Sequence, residues 1–149
     1  AEFVFFKADL SEKSYLQSKL WQDDNWLKPI VHGLAQSGKY CQVPKLTLLE
    51  NIYQLETHLN VTPRPYLLSP LSSQSLLDTD PLTSVIVSFL FGPERGLSER
   101  DLLFLEQFKL PEIKISSSIL RVENALVAAA AQMEMLRRFS ETPLQPNNS

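Results

Sequence analysis

The sequence predicts an α/β fold built on a mostly parallel sheet with helices on both faces. Strand-like and helix-like segments alternate along the chain, which is typical of this class. The run Val85–Phe91 is apolar on both faces, as buried parallel strands are. A length of 149 residues with 44% hydrophobic residues is enough for one domain with a single core.

The N-terminal third predicts one strand and one helix. Phe3–Phe6 is a short β-type run rich in aromatic residues, and the polar residues 7–24 are expected to be irregular. Asn25 can cap a helix in which apolar residues recur every three or four positions, with Pro29 in its first turn. Gly38 is the natural stop of this helix.

The middle of the chain predicts a brief extended piece, a second helix and two strands that follow it. Residues 42–46 can form a brief extended piece. Thr47–Glu50 has the form of a capping box and would open a helix that ends near Asn60. Tyr66–Leu68 predicts the next strand, and Val85–Phe91 predicts the central strand of the sheet.

The C-terminal part predicts two helices and one strand. Ser98 can cap a helix through residue 108, with Asp101 three positions on from the cap. Glu112–Ile115 predicts a short strand. Ile119–Arg138 predicts a long helix whose interior is rich in alanine, and such a surface lets another helix approach closely.

Composition excludes several classes of protein. The longest apolar stretch, residues 84–91, is too short to cross a bilayer, and Cys41 is the only cysteine, so an internal disulfide is impossible. A reducing, cytoplasmic setting is therefore expected. The net charge of −3 argues against a surface that grips nucleic acid throughout, although a local basic patch remains compatible with it.

Few side chains have a spacing that suggests chemistry. His32, His58 and Cys41 have no partners at ligand spacing, so structural or surface roles are expected and no metal site is predicted. The segment Gly92–Gly96 follows the best strand and precedes a helix, and a plain tight turn and a ligand loop fit it equally well. Arg121 and Glu123 begin the last helix, as a surface ion pair or as part of a site.

Two of these segments carry a resemblance to a known family. Gly92–Ser98 reads GPERGLS and Ile115–Ala125 reads ISSSILRVENA. They resemble the paired signatures of the ribosomal RNA small subunit methyltransferase E family, which usually read GPEGG(F/L)S and LGxRILRxETA. Upstream, Trp26, Gln36–Lys39 and Val43–Pro44 are similar to the family's Trp, Gln-Ser-Gly-Arg and Val/Ile-Pro stretch.

The resemblance implies a SPOUT-class α/β domain with a C-terminal trefoil knot. The domain would cover residues 1–140, and residues 141–149 would form a flexible tail. By this resemblance, the family's N-terminal PUA-like RNA-binding domain is expected to have no counterpart in these residues, and so are the first strand and helix of its methyltransferase domain. Because the chain begins at Ala1 and not at Met, it is interpreted as a fragment.

The resemblance also implies an activity. The family works as a homodimer that transfers a methyl group from S-adenosylmethionine to N3 of a uridine in 16S rRNA of the small ribosomal subunit, without a metal or a membrane. The residues it assigns to cofactor binding are Leu68, Ser69, Pro70, Phe91, Gly92, Pro93, Glu94, Gly96, Leu97, Ile115, Ser116, Ser118, Ile119 and Leu120.

Two residues would act on the RNA base. Arg121 would orient the base or a phosphate, or favour the uracil anion, and Glu123 would pair with Arg121 or help to remove the N3 proton.

Departures from the family pattern motivate a second hypothesis. Arg95 and Ser116 replace family glycines, and Ser118 replaces an arginine. The alternative is a catalytically degenerate SPOUT domain that dimerises or binds RNA. A third possibility is a related SPOUT enzyme acting on another RNA.

Overall fold

The computed structural model describes residues 1–12, 14, 17–38, 42–79 and 86–141. Strands and α-helices in this part follow one another as β1 (Glu2–Phe6), α1 (Leu27–Ser37), β2 (Lys45–Leu49), α2 (Glu56–Leu59), β3 (Tyr66–Leu68), β4 (Phe89–Leu90), α3 (Glu99–Glu106), β5 (Glu112–Ile113) and α4 (Val122–Glu141). Short 3-10 helices lie at Lys19–Trp21, Ile52–Leu55 and Leu76–Asp78.

All the strand pairs in the described residues are parallel, and they form two sheets. β1 pairs with β2, from Glu2 opposite Lys45 to Phe6 opposite Leu49. The other sheet has the order β4-β3-β5. The predicted α/β class with a mostly parallel sheet is confirmed, but the chain divides its strands between two sheets.

One face of the three-stranded sheet packs against α2 and α3. Leu67 of β3 and Leu90 of β4 share an apolar cluster with Leu59 of α2 and Leu105 of α3. Side chains from β1 and β2 pack against the same cluster, so the two sheets share a core; these are Val4, Phe6 and Leu49.

The opposite face packs against α4. Ile113 of β5 and Met133 of α4 are buried together with Leu76. Side chains from β3 and β4 that alternate with those of the first face complete this cluster, namely Tyr66, Leu68 and Phe89. The predicted placement of helices on both faces of the sheet is therefore confirmed.

The expected central strand is wrong in position and length. Strand pairing is confined to Phe89–Leu90, within the predicted run Val85–Phe91, and residue 85 lies outside the described residues. Within the described sheet β3 is the middle strand and β4 pairs with β3 alone. Apolar residues on both faces reflect burial, which does not by itself fix the order of strands.

Two predicted helix caps are wrong. Thr47–Glu50 opens no helix, because residues 45–49 form β2 against β1. Asn25 does not cap α1, whose N-cap is Trp26; the Asn25 amide nitrogen Nδ2 instead donates to the Lys19 carbonyl at 3.2 Å.

Other local predictions are confirmed. β1 and β3 form as expected, and Gly38 ends α1 with a left-handed φ of 63°. Ser98 and Asp101 form a reciprocal capping box at α3, although this helix ends at Glu106. The last helix begins at Val122, three residues later than predicted, and runs to Glu141.

Within the described residues, no helix combines the length and the hydropathy needed to span a membrane.

Candidate functional site

A cleft opens where the three strands of the larger sheet end. β3, β4 and β5 are parallel, so their carboxyl ends lie at one edge of the sheet and each leads into a loop there. The start of α4 closes the cleft, whose volume is about 100 Å³. Its walls are formed by Leu68, Ser69, Pro70, Phe91, Gly92, Ile113, Lys114, Ile115, Ser116, Ser118, Leu120, Val122 and Ala125.

Many of the residues expected at the site line this cleft. They are Leu68, Ser69, Pro70, Phe91, Gly92, Ile115, Ser116, Ser118 and Leu120. The structure places the remaining candidates outside the cleft walls: Pro93, Glu94, Gly96, Leu97, Ile119, Arg121 and Glu123. Sequence reasoning missed four lining residues, which are Ile113, Lys114, Val122 and Ala125.

The Gly92–Gly96 segment is both a tight turn and a wall of the cleft. The Gly96 N–H donates to the Pro93 carbonyl at 2.8 Å, and the φ of 78° at Gly96 is one that side chains disfavour. Gly92 itself faces the cleft, with Leu97 packed behind it. A Cβ added to Gly92 would lie 3.4 Å from Leu97 Cγ.

Arg95, which replaces a family glycine, is held away from the cleft. Its guanidinium Nη2 lies 3.3 Å from the Glu12 carboxylate Oε1, and the pair is exposed to solvent. Arg95 does not belong to the cleft walls. The glycine replacement at this position therefore leaves the cleft open.

The loop after β5 is tied to α4. The Gln132 side chain Nε2 donates to the Ile115 carbonyl at 2.8 Å, and the Ser118 N–H donates to the Ser116 hydroxyl at 3.0 Å. Ile119, the next residue, is 85% exposed. These bonds fix the serine-rich wall of the cleft and leave Ile119 facing solvent.

Arg121 and Glu123 flank the start of α4 and are both exposed. The Arg121 carbonyl accepts from the Ala125 N–H at 2.8 Å, so Arg121, the residue before α4, accepts a hydrogen bond from the first turn of that helix. None of the ion pairs formed within the described residues joins Arg121 to Glu123. The expected surface ion pair is not formed. Glu123 lies in the first turn, where the helix dipole favours a negative charge.

Asp101 connects Ser98, two residues after the Gly92–Gly96 segment, to Asp9 in the N-terminal part of the chain. Its carboxylate is fully buried, and Oδ2 accepts from the Ser98 N–H at 3.0 Å and the Asp9 N–H at 3.1 Å. The Ser98 hydroxyl in turn donates to Asp9 Oδ2 at 2.9 Å. The residues just after β1 are thus bonded to the N-terminus of α3.

A second capping box lies beside the loop after β5. The Asp78 carboxylate Oδ2 accepts from the Ser75 N–H at 2.7 Å and the Ser75 hydroxyl at 2.8 Å. The pKa of Asp78 lies below its ordinary value. The Ser75 N–H bond lowers it most, the Ser75 hydroxyl bond lowers it next, and the Lys114 charge adds a smaller effect. Ser75 also pairs with Lys114, so this box borders the cleft wall.

The lowered pKa of Asp78 predicts a pH dependence. Because the folded state prefers the carboxylate, its stabilising effect is present above the unfolded pKa of about 3.9 and is lost as pH falls through the folded pKa. The difference in unfolding free energy between the unsubstituted protein and Asp78→Asn should therefore shrink below about pH 4. Urea unfolding from pH 6 to 2.5 measures it, with the exposed Glu106→Gln as control. A difference that stays constant with pH would contradict the prediction.

Metal-binding side chains are scattered in the described residues. No three His, Cys, Asp or Glu side chains there are close enough to hold a metal ion. His32 lies on α1 and His58 on α2, away from the cleft walls. Cys41 lies outside the described residues.

A family model described as an RNA methyltransferase domain matches residues 1–134. This chain belongs to the RNA methyltransferase domain family. Ribosomal RNA small subunit methyltransferase E 1 of Borreliella burgdorferi is 29% identical over 134 residues, which are 87% of this chain and 54% of that protein. The resemblance found in the sequence is confirmed. The chain spans about half the length of the relatives it matches.

Solved structures agree on the fold of this RNA methyltransferase domain. A Legionella pneumophila methyltransferase with bound SAM matches with a TM-score of 0.70 and 18% identity over 91% of this chain and 54% of that one. A Neisseria gonorrhoeae ribosomal RNA small subunit methyltransferase E bound to S-adenosyl methionine matches with a TM-score of 0.68 and 22% identity. This match covers 91% of this chain and 55% of that one. The SPOUT-class α/β fold is confirmed, and the trefoil knot stays a prediction.

Proposed function

We propose that this RNA methyltransferase domain binds S-adenosylmethionine in the cleft and methylates N3 of a uridine in 16S rRNA of the small ribosomal subunit. The observation that carries the proposal is the cleft itself. Three loops at the carboxyl ends of adjacent parallel strands meet there, and they include both of the motifs shared with the ribosomal RNA small subunit methyltransferase E family. The names of the matched relatives support the cofactor and the substrate.

The residues of the cleft suit such a cofactor. Leu68, Ile115 and Leu120 provide apolar walls for the adenine. Gly92 also lines the cleft, and because it has no Cβ, Leu97 can pack closely behind this part of the wall. Ser116 and Ser118 line the same cleft, and each has a hydroxyl that can donate a hydrogen bond, although that of Ser116 already accepts from the Ser118 N–H. When bound, S-adenosylmethionine supplies an electrophilic methyl group on its sulfonium sulfur.

Arg121 and Glu123 would handle the uracil base. Leu120 and Val122, on either side of Arg121, both line the cleft, so the backbone of Arg121 lies beside the cleft, and its side chain is exposed to solvent. A guanidinium offers five N–H donors and a positive charge, which would orient the base and favour the anion left by removal of the N3 proton. Because Glu123 is not paired with Arg121, its carboxylate is available to accept that proton.

A homodimer in the cytoplasm belongs to the same proposal. Large apolar side chains are exposed on α4, at Leu126, Val127, Met135 and Phe139. The alanine-rich interior of the helix leaves room for a second helix to approach. These features support self-association through α4, and the proposed substrate accounts for a cytoplasmic location.

Methyl transfer to ribosomes tests the proposal. The full-length protein would be incubated with isolated small ribosomal subunits and S-adenosylmethionine carrying a labelled methyl group, and the rRNA analysed by nucleoside mass spectrometry. The expected product is 3-methyluridine in 16S rRNA. Methylation of a different base, or of another RNA only, would overturn the uridine N3 assignment. Cofactor binding without transfer to any RNA would favour the degenerate SPOUT alternative.

Arg121→Ala is expected to lower the rate of methyl transfer about a hundredfold, as loss of one group that stabilises developing charge does. The affinity for S-adenosylmethionine should stay within about twofold, because the Arg121 side chain is not part of the cleft walls. Single-turnover kinetics at saturating cofactor measures the rate. The control is Arg137→Ala, which removes an exposed arginine about four turns further along α4. Equal rates for the two variants would remove Arg121 from the mechanism.

A further inference from the structure

The cleft contains a single charged side chain, that of Lys114, in the part of the chain that the structure describes. The other lining residues are apolar or carry uncharged hydroxyl groups. The family motif that points to the cofactor starts one residue later, at Ile115, so neither the resemblance nor the proposed mechanism gives Lys114 a role.

The position of Lys114 is fixed by its backbone. It follows β5 directly, its N–H donates to the Gln74 carbonyl at 2.7 Å, and it forms a parallel bridge with Ser75. The residue is half-buried. These contacts hold the start of the lysine side chain at the cleft wall, and the long stem gives its ammonium group freedom to reach a ligand.

The ammonium group has a nearby negative charge but is not paired with it. The Lys114 charge helps to lower the pKa of Asp78, after the stronger effect of the two Ser75 hydrogen bonds. Asp78 Oδ2 accepts both Ser75 bonds, and none of the ion pairs formed within the described residues includes Lys114. The lysine can therefore receive another anion.

The charges of the proposed cofactor decide which of its groups can meet a lysine. Its sulfonium and its ammonium are positive and would be repelled, whereas its methionine carboxylate is negative and would be attracted. This attraction is stronger beside apolar walls than in water. We propose that Lys114 binds the carboxylate of the methionine moiety of S-adenosylmethionine, an inference that rests on the proposed function of the cleft.

Decarboxylated S-adenosylmethionine provides the test, because it lacks this carboxylate and keeps the adenosine, the sulfonium and the amine. The unsubstituted protein should bind S-adenosylmethionine about tenfold more tightly than the decarboxylated compound, the difference expected for a charge-assisted hydrogen bond. In Lys114→Met this preference should disappear, and in Lys114→Arg it should persist. Lys28→Met removes an exposed lysine from α1 and should keep the full preference.

The outcomes separate the two proposals. Retained binding of the decarboxylated compound shows that Lys114→Met is folded, so loss of the preference supports the carboxylate contact. If Lys114→Met keeps the preference for S-adenosylmethionine, the inference is overturned and the cofactor cleft stays in place. The same holds if the only defect of Lys114→Met is weaker, salt-sensitive binding of rRNA. If the unsubstituted protein binds neither compound, the proposed function fails as well.

Discussion

Replacing Asp101 by alanine is expected to lower the free energy of unfolding by about 3 kcal/mol, since two part-buried N–H groups lose their charged acceptor. Asp101 is 0% exposed, and its Oδ2 accepts from both Ser98 and Asp9. Of the Ser98–Asp101 capping box, the substitution removes the bond to the carboxylate and keeps the bond from the backbone N–H of residue 101 to the Ser98 hydroxyl. Urea unfolding measures the change.

Two variants in the same helix turn show whether the buried carboxylate is responsible. Glu99→Ala removes an exposed acid from the first turn and should cost less than about 1 kcal/mol through the helix dipole. Asp101→Asn keeps one acceptor oxygen and should lie between the two. If Asp101→Ala is no more destabilising than Glu99→Ala, the carboxylate does not hold the N-terminal segment to α3.

Ala125→Leu is expected to weaken binding of S-adenosylmethionine at least about tenfold, because three added carbon atoms would occupy space inside a small cleft and overpacking costs about 1–3 kcal/mol. Ala125 lines the cleft from the first turns of α4. Leucine forms helices almost as well as alanine, so the substitution acts on the cleft and not on the helix. Isothermal titration measures the affinity.

The matched control for this variant is Ala35→Leu. Ala35 lies on helix α1, is exposed and does not line the cleft. Ala35→Leu should leave the affinity for S-adenosylmethionine unchanged within about twofold, since surface substitutions rarely cost more than ~0.5 kcal/mol. If the two variants bind S-adenosylmethionine equally well, the cofactor lies elsewhere.

The two capping-box patterns show how far local sequence determines the fold. Ser98–Asp101 forms its box, and none of the described strand pairs includes those residues. Thr47–Glu50 fits the same pattern, yet residues 45–49 pair with β1, more than forty positions earlier in the chain. There Thr47 donates its hydroxyl to the Glu2 carboxylate at 3.2 Å. A long-range parallel pairing overrides a local helix signal, and such a pairing cannot be read from a short window.

The cleft residues that belong to sequence motifs could be predicted, and those that only the packing of α4 brings to the cleft could not. The loops that begin at Ser69, Phe91 and Ile115 meet in the cleft because parallel strands bring their carboxyl ends to one edge. Lys114 gave no signal, because a strand lysine resembles an ordinary surface residue. Ala125 ends the second motif, but a helix alanine resembles an ordinary core residue and no role was assigned to it. Only the approach of α4 to the end of β5 makes them part of one wall.

Isothermal titration of the full-length protein with S-adenosylmethionine tests most directly whether the cleft is a cofactor site. Saturable binding of one molecule per chain, weakened by Ala125→Leu and preserved in Ala35→Leu, is the result expected for an RNA methyltransferase that uses this cleft. If neither S-adenosylmethionine nor S-adenosylhomocysteine gives binding heat at two well-separated temperatures, the cleft is not a cofactor site. The domain would then be a dimerisation or RNA-binding unit without methyl transfer.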